Sequence, residues 1–128
     1  MSGYLDNIEE KTLQNTNFRE VLFTGEHLQL VVMSLLPGEE IGLETHHGID
    51  QFLRIEAGEG KAILNGAERA MADGTAVVVP AGTEHNIVNT SATEPLKLYS
   101  IYSPPEHPAG TIHKNRAEAL AYEAEHHH

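Results

Sequence analysis

Gly74–Asn89 reads GTAVVVPAGTEHNIVN: a short apolar strand, a rigid reversal at Pro80-Ala81-Gly82, and one imidazole, His85, just beyond it. Proline fixes one backbone angle and glycine admits conformations closed to other residues. A histidine framed this way is aimed at a fixed point, as a metal site on a rigid scaffold requires. Asn89 follows four residues later. Upstream, Gly38–Gly58 reads GEEIGLETHHGIDQFLRIEAG. In an extended segment, residues two apart share a face, so Glu44 and His46 point one way and Thr45 and His47 the other. Gln51 opens the next strand after a turn containing Gly48, and Leu53 and Ile55 continue its face. Glu44, His46 and Gln51 can therefore converge inside one β layer, and His47 faces outward.

Working outward, the rest of the chain repeats the pattern. Short runs rich in Val, Ile and Leu alternate with turn residues, as in an antiparallel all-β domain. Strands are expected over 18–23, 28–36, 42–46, 51–57, 61–64, 76–79, 85–88 and 96–102. Turns are expected at Thr24-Gly25-Glu26, Pro37-Gly38, Gly58-Glu59-Gly60, Asn65-Gly66, Asp73-Gly74 and Pro80-Ala81-Gly82. Such spacing fits a sandwich or barrel. We expect an N-terminal arm or short helix over 1–17, the β-barrel over 18–103, and a C-terminal loop and short helix over 104–128. Asn115 can cap that helix, with Glu118 three residues on. His126–His128 are either native or left from a purification tag and are set aside.

The 128 residues suit one domain with a modest core. Nineteen acidic against eight basic residues give a net charge of −11, and cysteine is absent. A field of that sign disfavours nucleic acid and anionic membrane surfaces. Without cysteine there is no disulfide, thiolate metal site or Cys nucleophile. No run approaches the ~18 apolar residues of a membrane span, and no signal peptide is visible. The expectation is a soluble cytoplasmic protein. Phosphate-binding glycine loops, dinucleotide fingerprints and serine elbows are also absent.

The two segments together resemble the paired signatures of the cupin superfamily, small double-stranded β-helices also described as jelly-roll barrels. Gly74, Pro80, Gly82, His85 and Asn89 fit every fixed position of the second signature. The first fits in spacing from Gly38 to Gly58, with two departures: Glu44 stands where a histidine is usual, and Gln51 where a glutamate is usual. A shifted register would put Asp50 at the acidic position; Gln51 is preferred because it leaves six residues before Gly58. The resemblance implies one divalent metal ion, Mn, Fe, Co, Ni, Zn or Cu, held by Glu44, His46, Gln51 and His85. One carboxylate, two imidazoles and an amide oxygen suit such ions. The bland alternative is a barrel that has lost its metal and keeps a hydrogen-bonded polar cluster. His27, His107 and His113 are read as surface or core residues.

Two functions remain open at this level. One is a metal-dependent enzyme acting on a small oxygen-rich molecule such as a sugar or an oxo or hydroxy acid, with isomerase or lyase chemistry preferred to dioxygenase chemistry. The other is a non-catalytic module that binds or senses a small molecule. No catalytic residue is assigned. Small cupins often dimerise, so a homodimer is expected.

Overall fold

The computed structural model describes residues 2–125. Two helices and nine strands follow in order: α1 (Ile8–Gln14), β1 (Arg19–Thr24), β2 (Gln29–Leu35), β3 (Asp50–Ala57), β4 (Gly60–Leu64), β5 (Ala67–Met71), β6 (Ala76–Val79), β7 (His85–Asn89), β8 (Leu96–Ser103), β9 (Ile112–His113) and α2 (Arg116–Glu125). A six-stranded sheet ordered β6-β3-β8-β2-β1-β9 faces a three-stranded sheet ordered β5-β4-β7. Among the described residues every strand pairing is antiparallel, giving the jelly-roll barrel. His126–His128 lie outside the described residues.

Period-two alternation builds the interior, and the register stacks it in layers. Leu35 faces Leu96 at one end. Next come Met33, Leu98 and Ile55, then Val31, Ser100, Leu53 and Val77, and finally Gln29, Tyr102, Gln51 and Val79. The barrel thus grades from wholly aliphatic to polar along its length. Met33, Leu35, Leu53, Ile55, Leu96 and Leu98 are fully buried, each worth ~1.5–3 kcal/mol of transfer free energy. On the facing sheet Asn89, Ile87 and His85 lie opposite Gly60, Ala62 and Leu64. β7 therefore carries its asparagine toward the aliphatic end and its histidine toward the polar one.

Three elements differ from the sequence expectation. Residues 42–46 form no strand: one isolated bridge joins Glu44 to His85. Gly42, at φ +116°, leaves the extended region and its N–H donates to the Asn86 side chain instead of a ladder carbonyl. The alternation survives nonetheless, with Glu44 and His46 half-buried and Thr45 and His47 exposed. β5 was not expected, because AERAM has helix-forming residues and little β character. The Asn65-Gly66 turn, with φ of +47° and +83°, folds it onto β4 as a tight hairpin, and Lys61 pairs with Glu68 across it at 3.0 Å. Two-residue β9 was not expected either.

Helix α1 packs against β8, β2 and β3, and α2 against β9. Asn7 caps α1 through Glu10 N–H. The Asn115 side chain accepts from Glu118 N–H at 2.9 Å, and Glu118 reaches back to Lys114 N–H at 2.8 Å, a capping box displaced by one residue. Ala119 on α2 is part of the core. Among the described residues no helix is long and apolar enough to cross a membrane.

Candidate metal centre

Two backbone hydrogen bonds zip Glu44 to His85, N–H to carbonyl in both directions, at 2.9 and 2.8 Å. The 80–82 reversal is tied to the same loop: Ala81 N–H donates to the Asp50 carboxylate at 2.8 Å and Gly82 N–H to the His46 carbonyl at 2.9 Å. Residues far apart in sequence are thus locked into one frame. Ligand atoms of Glu44, His46 and His85 lie within 4.8 Å of one another. Three ligands on one ion at ~2.1 Å stand roughly 3.0–3.6 Å apart, so the widest pair needs to approach by no more than ~2 Å.

Hydrogen bonding presets the rings. His85 Nδ1 lies 2.9 Å from the Thr83 carbonyl. A carbonyl only accepts, so Nδ1 carries the proton and Nε2 keeps its lone pair for a metal. His46 Nδ1 stands 3.6 Å from the Glu106 carboxylate and its Nε2 3.7 Å from that of Glu44. Glu106 is placed to orient this imidazole from behind, as carboxylates do for metal-bound histidines. The His46 and His85 rings are 5.2 Å apart.

Gln51 occupies the polar interior layer, and its cross-strand partner Tyr102 meets His46 edge-on at 6.0 Å. The Gln51 amide donates to Ser100 Oγ at 2.9 Å, and Ser100 Oγ donates onward to the Phe52 carbonyl at 3.2 Å. The hydroxyl proton is committed to Phe52, so Ser100 accepts from Gln51 and the amide orientation is set. Its Oε1 is then buried with no hydrogen-bond partner. Such an orphan acceptor is costly unless something electropositive meets it, so the residues present fit a cation. Asp50, the alternative, is exposed and occupied by Ala81.

Glu44 and His46 line a cavity of about 820 Å³ whose wall also includes Arg19, Glu106, His107, Tyr122 and Glu123. None of these five was read from sequence as a site residue. Burial raises the Glu44 carboxyl to about 7, against an opposing pull from Arg19. Burial also lowers His46 and outweighs the upward influence of Glu106. Burial, Arg19 and nearby imidazoles push His107 down to about 3, so it stays neutral, and burial holds the Tyr102 phenol protonated, up to about 12. His107, read from sequence as surface or core, lines the cavity; its backbone is clamped by the buried Gln29 side chain through N–H and carbonyl at 2.9 and 2.7 Å. His113 is buried beside Arg19, and His27 is exposed.

Known proteins share this arrangement of chain. The Bacillus subtilis protein YrkC is 53% identical over 127 residues, covering 94% of this chain and 67% of its own. Protein L612 of Acanthamoeba polyphaga mimivirus is 44% identical, covering 91% and 74%. Among solved structures, BH2720 from Bacillus halodurans superposes with a TM-score of 0.90 at 47% identity, over 92% of this chain and 93% of its own. A Thermotoga maritima protein described as a predicted oxalate decarboxylase gives 0.57 at 27% identity, over 60% and 66%. The family profile of the cupin domain matches residues 31–102, the span that holds both ligand segments, and the chain belongs to the cupin family.

Proposed function

We propose that this cupin is a metal-dependent enzyme for a small oxygen-rich molecule, with Glu44, His46, Gln51 and His85 holding one divalent ion. The observation that carries the reading is the orphaned Gln51 oxygen, buried in the layer next to a preset triad of Glu44, His46 and His85. A bound ion would supply Lewis acidity, polarising a carbonyl or acidifying a hydroxyl. The chain's own groups do the rest. Thr83 and Glu106 hold the imidazoles in place, the Tyr102 phenol stays protonated, and Leu43 and Pro108 give the cavity an apolar wall. Isomerase or lyase chemistry on a sugar-like compound or an oxo or hydroxy acid is preferred to oxygenation. The Thermotoga maritima neighbour, described as acting on a small diacid, supports that class by likeness alone.

The test is to load cobalt into untagged protein and titrate oxalate against acetate, following visible absorption. Oxalate, which chelates, should perturb the spectrum at much lower concentration than acetate, and His46→Ala should lose the response. If wild-type protein takes up no cobalt, the metal reading fails. A substrate panel comparing metal-loaded wild type with His85→Ala then separates an enzyme from a binding module: turnover that the variant loses supports the enzyme.

A further inference from the structure

Arg19 is the one cationic side chain on the cavity wall among the described residues, and it is 2% exposed. It forms no ion pair with a carboxylate among those residues. Its Nε is buried without a hydrogen-bond partner. The guanidinium packs over the face of the neighbouring Phe18 ring, 5.4 Å from the centroid, and reaches His113 Nδ1 at 3.4 Å. Arginine cannot accept, so His113 accepts there and keeps its own proton on Nε2. His113 is backed by Tyr122 of α2, ring centroids 5.4 Å apart. The last strand and last helix therefore hold a planar five-donor fork in place against the cavity and leave part of it unused.

Burying a cation without an anion is expensive, and a structure that does so while supporting the group from behind provides a site for one. We infer that Arg19 is the anchor of a carboxylate subsite, and that the ligand of this cavity is a small acid carrying one carboxylate beyond the oxygens that meet the metal. The inference rests on the metal-centred reading above for the other end of the ligand. Planar bidentate geometry suits a carboxylate. A phosphate dianion fits less well, because Glu106 and Glu123 share the wall and would repel the second charge. With a divalent ion bound, the wall charges of Arg19, Glu44, Glu106 and Glu123 cancel, so a singly charged group meets no net repulsion.

The probes are lactate, malate and 2-hydroxyglutarate, which share a 2-hydroxy acid head and differ in a second carboxylate at two reaches, together with malate methylated at that carboxylate. Calorimetric titration into cobalt-loaded, untagged protein should show malate or 2-hydroxyglutarate binding ten-fold or more tighter than lactate, a ratio in line with a charge-assisted pair worth ~1.5–3 kcal/mol. The methyl ester should fall back to lactate's level. Arg19→Gln should bring the ratio close to one while shifting lactate less than about two-fold, and Arg19→Lys should give an intermediate ratio. Equal binding of all four by wild type overturns the subsite even if the variants do not fold, and so does a ratio that survives in Arg19→Gln. A protein that takes up no cobalt fails the metal reading instead. The subsite is then judged on metal-free protein, where Arg19-dependent binding of succinate supports it and no such binding overturns it.

Discussion

The two ends of β7 face opposite demands. At one end the Asn89 side chain donates to the carbonyls of Leu35, Leu36 and Glu94 and accepts from Ser91 N–H, all between 2.9 and 3.1 Å. That side chain is fully engaged, and the glycines are enclosed: a Cβ on Gly60 would lie 2.5 Å from the Val88 carbonyl oxygen, and one on Gly58 would meet the Pro95 carbonyl. At the other end, Arg19 Nε, Gln51 Oε1 and His107 Nε2 are buried and unpartnered, and a Cβ on Gly82 would meet nothing within 4 Å. One end is finished as structure. The other carries unsatisfied donors and acceptors of the kind a ligand completes.

The comparison breaks first, and hardest, at the glycines. Gly58→Ala combines φ +94° with a collision against backbone that cannot rotate away, so it should cost ~3 kcal/mol or more. Gly82→Ala meets only the positive-φ penalty at +84°, ~1–2 kcal/mol. Denaturant titrations of the two variants check this; equal losses would mean that both ends are equally tight. Gly82→Val should still harm the fold more than His85→Ala does, since its cost lies in the backbone.

Next in size is the contrast along β7 itself. Asn89→Ala strands three carbonyls and an N–H and should cost ~2–4 kcal/mol. His85→Ala removes one imidazole bond to Thr83, a carbonyl in a half-buried loop, and should cost the metal-free protein ~1 kcal/mol or less while abolishing cobalt uptake. Parallel melts and cobalt titrations of both variants would show whether structure and binding separate this cleanly.

A smaller effect should appear in pH dependence. The Glu44 carboxyl rises from 4.5 to about 7 on folding, chiefly through burial. Its protonated form is favoured in the folded chain, so its contribution is fully present below pH ~4.5 and is lost as pH rises through ~7. His107 acts oppositely: its folded value of about 3 against 6.5 gives stability present above pH ~6.5 and lost as pH falls toward 3. The difference between wild type and Glu44→Gln isolates the first group. Metal-free wild type should lose stability relative to the variant between pH 5 and 7, and a flat difference would mean that Glu44 is solvated.

What sequence made legible divides along the same line. The closed end was readable because Gly58, Asn89 and the aliphatic alternation act through local rules of parity and turn chemistry. So was the convergence of Glu44, His46 and His85, even though the strand expected at 42–46 is a single bridge, because alternation needs extended backbone and not a full ladder. The remainder of the cavity wall was not readable. Arg19 occupies the inward parity of Val21 in FREVLF, a signal that a cation on an apolar face could have raised. Glu106 and His107 sit among three prolines in PPEHP, which marks only a stiff loop. Tyr122 and Glu123 reach the cavity because α2 docks there, with Arg116 bonded to the Glu40 carbonyl at 2.6 Å, and no local rule gives that placement.

The smallest stability change should come from Gln51→Leu, and its smallness is what makes it informative. Replacing the amide removes a donor to Ser100, but the Ser100 hydroxyl still bonds the Phe52 carbonyl. It also removes the orphaned Oε1, whose burial already costs the metal-free protein about 1–3 kcal/mol. Leucine fits a layer bordered by Val79 and Leu53. Gain and loss nearly cancel, and the metal-free melting temperature should move by no more than ~1 kcal/mol allows, in either direction. The same substitution should weaken cobalt binding, because the amide oxygen proposed as a ligand is gone. A variant that is clearly destabilised and binds cobalt as before would show Gln51 to be a structural residue of the closed kind, and the polar layer would then belong to the barrel rather than to the site.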